Sequence, residues 1–166
     1  EMGVNAIRTA HNPPSPEQLT LCDQMGIMVI DETFDEWSEA KNEVENSYNI
    51  WFNEWSGKDT RALIKRDRNH PSIIMWSIGN EVPDQTNPEL AKKLAAIVHR
   101  LDPTRPVTAG CNSGDAGFNG FQLALDVFGY NYNHSSYEKF FKDTVNSHLP
   151  FIANETSSCL STRGEY

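Results

Sequence analysis

Short apolar runs alternate along this chain with longer stretches whose apolar residues recur at helical spacing. The short runs are near-continuous and rich in β-branched and aromatic residues. They predict buried strands at residues 4–9, 27–31, 73–78, 107–109, 127–131 and 151–153. Between most of them the period lengthens to that of a helix. Residues 16–25 follow Ser15, whose hydroxyl suits an N-cap, and stop at Gly26, which suits a helix end. Residues 48–68 carry Ile50, Trp51, Trp55, Leu63 and Ile64 at mostly helical intervals. Residues 87–101 place Pro88 in a first turn and line Leu90, Leu94, Ile97, Val98 and Leu101 along one face. A shorter helix of the same kind is expected at 136–147.

Strand–helix alternation with strands apolar on both faces means a parallel sheet, either open and doubly wound or closed as a barrel. An open sheet gathers its polar residues at one switch point. Here polar or ionisable residues follow almost every strand: Arg8 to His11, Asp31 and Glu32, Asn80 and Glu81, Asn131 and Tyr132, Asn154 and Glu155. A ring of functional groups at the carboxyl ends of successive strands is how barrel enzymes build a site. The expected fold is therefore an α/β (β/α)8 TIM barrel. A complete one takes about 250 residues, so six strands correspond to an incomplete barrel, about strands two to seven, with residues 1–166 forming one partial catalytic domain. The Gly- and Asn-rich segment 110–120 is expected to be a loop above the barrel.

Charge and cysteine content narrow the partners. Lys and Arg total 14 against 23 Asp and Glu, a net charge of −9. Nucleic acids and anionic membranes attract basic surfaces, so neither is expected as a partner. No apolar run reaches the roughly 18 residues of a membrane span, and no signal peptide opens the chain. Cys22, Cys111 and Cys159 lie far apart without metal-ligand spacing, so neither a zinc site nor a disulfide framework is expected. No cofactor or metal is called for. Cys22 falls in an apolar helical stripe and reads as a small buried hydrophobe.

The sharpest chemical feature is a pair of carboxylates after apolar strands, WSIGNE ending at Glu81 and FIANE ending at Glu155. Glycoside hydrolysis needs two carboxyl groups flanking the scissile bond, one protonated and one ionised. Glutamates 74 positions apart converge only if the sheet curls. A single strand-end glutamate could equally be half of a structural ion pair. The joint pattern, with Asn before both glutamates and with Arg8, His11 and Tyr132 at other strand ends, favours a site. Arg8 could still pair with Asp31 or Glu32 purely as structure. His70, before Pro71 at a helix–strand junction, reads as structural. Asp31 and Glu32 could support the site from behind. Trp37, in FDEW, offers an aromatic face on which a pyranose could stack, whereas Trp51, Trp55 and Trp76 read as packing residues.

The blocks NAIRTAHNPPSPEQLTLCDQMGIMVIDE, RDRNHPSIIMWSIGNE and FIANETSS resemble the signature segments of glycoside hydrolase family 2, in the right order over nearly the whole chain. That family holds β-galactosidases, β-glucuronidases and β-mannosidases. The resemblance implies that Glu81, after barrel strand four, is the general acid/base and that Glu155, after strand seven, is the nucleophile. It implies that Arg8 keeps the nucleophile ionised, that His11 contacts a sugar hydroxyl and that Asn80 bonds the 2-hydroxyl. The strand-six tyrosine matches Tyr132, with Tyr130 close enough to compete. Asn154 departs from the serine common at that position.

The resulting expectation is a retaining β-glycosidase acting on terminal β-D-galactosides through a covalent intermediate, with the two carboxyls about 5–5.5 Å apart. A β-glucuronidase or β-mannosidase of the same family is the alternative, as is a barrel that binds sugar without catalysis. A serine or cysteine hydrolase would need a G-x-S-x-G elbow or a Cys/His pairing, and neither is visible. Expected partners are a carbohydrate substrate, the missing barrel strands and flanking β-sandwich domains of a longer parent chain, and a homo-oligomer is left open.

Overall fold

In the computed structural model, which describes residues 3–42 and 44–156, the strands pair side by side in the order in which they occur in the sequence. They are β1 (Ala6–Arg8), β2 (Met28–Glu32), β3 (Ile73–Asn80), β4 (Val107–Cys111), β5 (Phe128–Asn131) and β6 (Phe151–Glu155), every neighbouring pair parallel. Helices α1 (Pro16–Met25), α2 (Asn49–Asp67), α3 (Pro88–Leu101) and α4 (Tyr137–Lys142) provide most of the crossovers. A doubly wound sheet would reverse its strand order, and this one does not.

The sheet is curled. Flat, six strands spaced at about 4.8 Å would hold their outer members about 24 Å apart. Arg8 on β1 instead bonds Glu155 on β6 at 2.7 Å. Curvature of that kind is the barrel's, so the carboxyl ends of β1 to β6 all face one mouth.

Local chemistry sets the element ends. Ser15 Oγ accepts from Gln18 N at 3.2 Å to open α1, and Gly26 closes it in the left-handed region at φ 69°. Asn87 Oδ1 caps α3 through Leu90 N. Helix α2 is capped from a distance, because the buried Glu36 carboxylate accepts from Asn49 N at 3.0 Å. Two expectations are corrected. Helix α4 stops at Lys142 rather than 147, since Asp143 turns extended and its Oδ1 takes the amides of Val145 and Asn146. Segment 110–120 is not all loop, because Gly110 and Cys111 belong to β4.

Between sheet and helices lies a continuous apolar layer that includes Leu19, Phe52, Ile64, Trp76, Leu94, Val98, Phe128 and Phe140. Each such fully buried side chain contributes roughly 1.5–3 kcal/mol. Cys22 lies in this layer as a free thiol, whereas Cys159 falls outside the described residues. His70 sits far from the mouth. Its Nδ1 lies 2.6 Å from Asp23 Oδ2, and Asp23 Oδ1 accepts from Ser72 N, tying α1 to the α2–β3 junction.

Candidate active site

At the strand ends one line of side chains joins the two glutamates. Arg8 Nη1 donates to Glu155 Oε1 at 2.7 Å, and its Nη2 donates to Asn80 Oδ1 at 2.6 Å. Asn131 Nδ2 donates to the same Asn80 oxygen at 3.0 Å and to Glu81 Oε1 at 2.9 Å. The path thus runs Glu155, Arg8, Asn80, Asn131, Glu81 through residues of β6, β1, β3 and β5. Arg8 Nε also donates to Glu32 Oε2 at 2.8 Å. The guanidinium, with donors in a fixed fork, therefore holds three strands' residues in one plane, which a lysine could not do. Glu32 is fully buried, and its other contacts explain how that charge is accommodated: Ser77 Oγ donates to Oε2 and His11 Nδ1 lies 3.0 Å from Oε1.

The backbone is shaped for these contacts. Glu81 and Tyr132 both adopt positive φ, 46° and 59°, a region that non-glycine residues rarely occupy and that clusters at functional sites. Glu81 N donates to Gly110 O and Tyr132 N donates to Glu155 O, so each turn is anchored to the next strand. Gly110 is needed for space. A Cβ there would stand 2.8 Å from Arg8 Nη2 and 3.0 Å from Asn80 Oδ1.

Electrostatics distinguish the partners. Burial pushes the Glu155 carboxyl up, but hydrogen bonds from Tyr132 and Arg8, with the Arg8 charge, outweigh it and hold the group below its ordinary value. Tyr132 supplies its hydroxyl to Glu155 Oε2 at 2.6 Å. Tyr130 instead packs fully buried and donates to Gly114 O, so Tyr132 is the tyrosine that faces the cleft. His11 is raised chiefly by its bond to Glu32, against burial, and its Nε2 stands 3.8 Å from Glu155 Oε1.

Glu81, Glu155, Asn80, Arg8, His11, Glu32 and Tyr132 are thus brought together. Two expected residues are not. Trp37 has no exposed surface: its Nε1 donates to Ile78 O, its ring packs on Phe52 and Phe121, and a Cβ on Gly79 would press within 2.8 Å of it. It is a core residue with no face for a sugar. Asp31 alternates with Glu32 and so points away from the mouth, into the charges of Asp67 and Arg66 on α2. Both its oxygens are buried, and its interaction with the Asp67 carboxylate favours the protonated form.

Three residues at the mouth carry little sequence signal: Asn131, which stands out only as a polar strand end, and Asp35 and Lys41 on the loop after β2. Asn80 Nδ2 donates to Asp35 Oδ1 at 3.2 Å, while Lys41 Nζ donates to Asp35 Oδ1 at 2.7 Å and to Asn80 O at 3.2 Å. The available signal was FDEW itself, in which the aspartate rather than the tryptophan reaches the mouth.

Comparison with known proteins agrees with this architecture. The family model described as "Glycosyl hydrolases family 2, TIM barrel domain" matches residues 1–161. Beta-galactosidase BoGH2A of Bacteroides ovatus is 43% identical, over all of this chain and 23% of its own. The beta-glucuronidase of Canis lupus familiaris is 39% identical over 68% of this chain and 17% of its own. The crystal structure of a glycosyl hydrolase family 2 member from Bacteroides cellulosilyticus superposes with a TM-score of 0.79 at 44% identity, covering 84% of this chain and 18% of that one. The chain spans less than a quarter of the length of each of these relatives.

Proposed function

The chain belongs to glycosyl hydrolase family 2, and from that premise we propose that it supplies the catalytic face of a retaining β-glycosidase acting on terminal non-reducing β-D-galactosides. Glu155 attacks the anomeric carbon while the bond to the leaving oxygen breaks, and Glu81 gives that oxygen its proton. A covalent glycosyl ester on Glu155 results. Glu81, now ionised, takes a proton from water as the water oxygen bonds the anomeric carbon, and the ester bond breaks to free Glu155.

The observation that carries this reading is the line of hydrogen bonds from Glu155 to Glu81 through Arg8, Asn80 and Asn131. A nucleophilic carboxylate must be ionised, and Arg8 and Tyr132 favour that state of Glu155. Asn80 keeps one amide hydrogen beyond the one given to Asp35, and that hydrogen is available to a 2-hydroxyl. In this reading the remaining barrel strands and the flanking β-sandwich domains belong to the protein's longer chain and close the sugar pocket from the other side.

Incubating the full-length protein with a 2-deoxy-2-fluoro β-galactoside and mapping the label by mass spectrometry tests the assignment. Label on Glu155 is expected, and label on any other residue overturns it. The identity shared with a beta-glucuronidase keeps a β-glucuronide as a second reading. Relative kcat/KM on aryl β-galactoside and aryl β-glucuronide decides between them.

A further inference from the structure

Two residues bonded to Asn80 also line a neighbouring cavity of about 480 Å³, a volume typical of small-ligand sites, whose walls include Asn12, Phe34, Asp35, Lys41, Ser47 and Tyr48. Asp35 and Lys41 stand at the boundary, each bonded to Asn80 and also lining the cavity. We propose that Asp35 and Lys41 form a hydroxyl-binding subsite for the glycone, with Asp35 accepting from the hydroxyl on C3. The proposal rests on the glycosidase reading above and deepens it.

Position gives the assignment. Asn80 Oδ1 faces Asn131 and, through it, Glu81, while Nδ2 faces Asp35. The two ends of one amide thus separate the acid/base from Asp35. A sugar whose C1 lies between the glutamates and whose C2 hydroxyl meets Asn80 must carry C3 farther from Glu81. That direction leads to Asp35.

Chemistry fits a neutral polyol. Asp35 Oδ1 is occupied, whereas Oδ2 takes no hydrogen bond among the described residues, leaving a carboxylate oxygen to accept from a hydroxyl. Lys41 Nζ has three donors and uses two, on Asp35 and on Asn80 O. Among the described residues, the cavity is also lined by Glu36 and Asp59 against one ammonium, that of Lys41, a balance that disfavours an anionic group there.

The loop that carries the pair is fixed in advance. Glu36 is buried and accepts from Lys41 N at 2.6 Å, from Asn49 N at 3.0 Å and from Ser47 Oγ. Asp84, buried on the segment after β3, accepts from Glu39 N at 3.1 Å and from Ser38 Oγ. Lys41 and Asp35 are thereby held before any ligand arrives, so little ordering is left to binding.

The test compares kcat/KM of the full-length protein on an aryl β-galactoside and on its 2-deoxy and 3-deoxy analogues, for wild type, Asp35→Asn and Lys41→Met. If wild type cleaves a different aryl β-glycoside fastest, the same three compounds are built on that sugar. Wild type is expected to lose about 10- to 100-fold on the 3-deoxy compound, the worth of one hydrogen bond to a charged group. Both variants should show that penalty shrunk to a few-fold with the 2-deoxy penalty intact. Asp35→Asn preserves shape, Lys41→Met preserves stem length, and thermal midpoints near wild type show that both fold. An unchanged 3-deoxy penalty in both folded variants overturns the subsite alone. No turnover of any aryl glycoside by wild type overturns the glycosidase reading and the subsite with it.

Discussion

Asn131 reaches across from β5 to Glu81, its Nδ2 lying 2.9 Å from Glu81 Oε1 while also touching Asn80 Oδ1 at 3.0 Å. Asn131 is itself fully buried, so its rotamer is set by packing and the Glu81 carboxyl is aimed by a rigid neighbour. In the proposed mechanism, loss of that contact lets the proton approach the leaving oxygen from a less defined position. Asn131→Ala is expected to lower kcat/KM about 10- to 100-fold for aryl glycosides with poor leaving groups. A dinitrophenyl glycoside, which leaves without needing a proton, should be affected far less. Equal losses across leaving groups would refute a role through Glu81.

Removing the Tyr132 hydroxyl should change the pH profile in a defined direction. The Glu155 carboxyl is held below its ordinary value partly by that hydroxyl, and in the proposed mechanism its ionised form is the nucleophile. Tyr132→Phe raises the carboxyl's pKa, so the acid limb of kcat/KM shifts to higher pH. The neutral plateau falls less than the activity at pH 5. A profile that keeps its acid limb would separate Tyr132 from the nucleophile.

Asp31 makes stability depend on pH. Burial, with the nearby Asp67 charge, pushes its pKa from 3.8 to about 8 in the folded chain. The folded state therefore holds a proton that the unfolded state has released, between about pH 4 and pH 8. Stability contributed by that proton is complete below pH 4 and is lost as pH rises through 8. Asp31→Asn should flatten this slope and raise the denaturation midpoint at pH 8 relative to pH 5, measured by denaturant titration. Identical slopes for variant and wild type would mean that Asp31 ionises normally.

Trp37 separates structure from binding. Trp37→Phe removes the donor to Ile78 O from a fully buried site and is expected to cost about 1–3 kcal/mol of stability. KM should stay within about twofold of wild type. A large KM increase with unchanged stability would restore the stacking role that burial excludes.

Besides accepting from Glu81 N through its carbonyl, Gly110 leaves the site room. A methyl group there presses on Arg8 Nη2 and Asn80 Oδ1. Gly110→Ala is expected to lower kcat by about tenfold or more through displacement of Arg8, read as turnover of an aryl glycoside with a thermal midpoint alongside. Full activity would show that the guanidinium can shift without consequence.

Periodicity by itself determined the order and type of the main elements. The short apolar runs of β2 and β3 leave most of their side chains to bury, and the helical stripe of α3 leaves one face to bury, so local physics settles these segments wherever they pack. The glutamates were legible for the same reason: a carboxylate directly after a buried strand is costly unless it is used or paired. What a strand's alternation means for two adjacent acids was also in the sequence, in that Asp31 and Glu32 must face opposite ways, but which of them faces the mouth depends on register. Only the curled sheet decides that. The same holds for Trp37 and Asp35, two residues apart on a loop with no period to orient them. Packing against Gly79 buries the ring, while Lys41 and Asn80 hold the carboxylate at the cleft. Side chains that meet across 50 or 147 positions, as Asn131 does with Glu81 and Arg8 with Glu155, are brought together by barrel curvature, which no local pattern encodes.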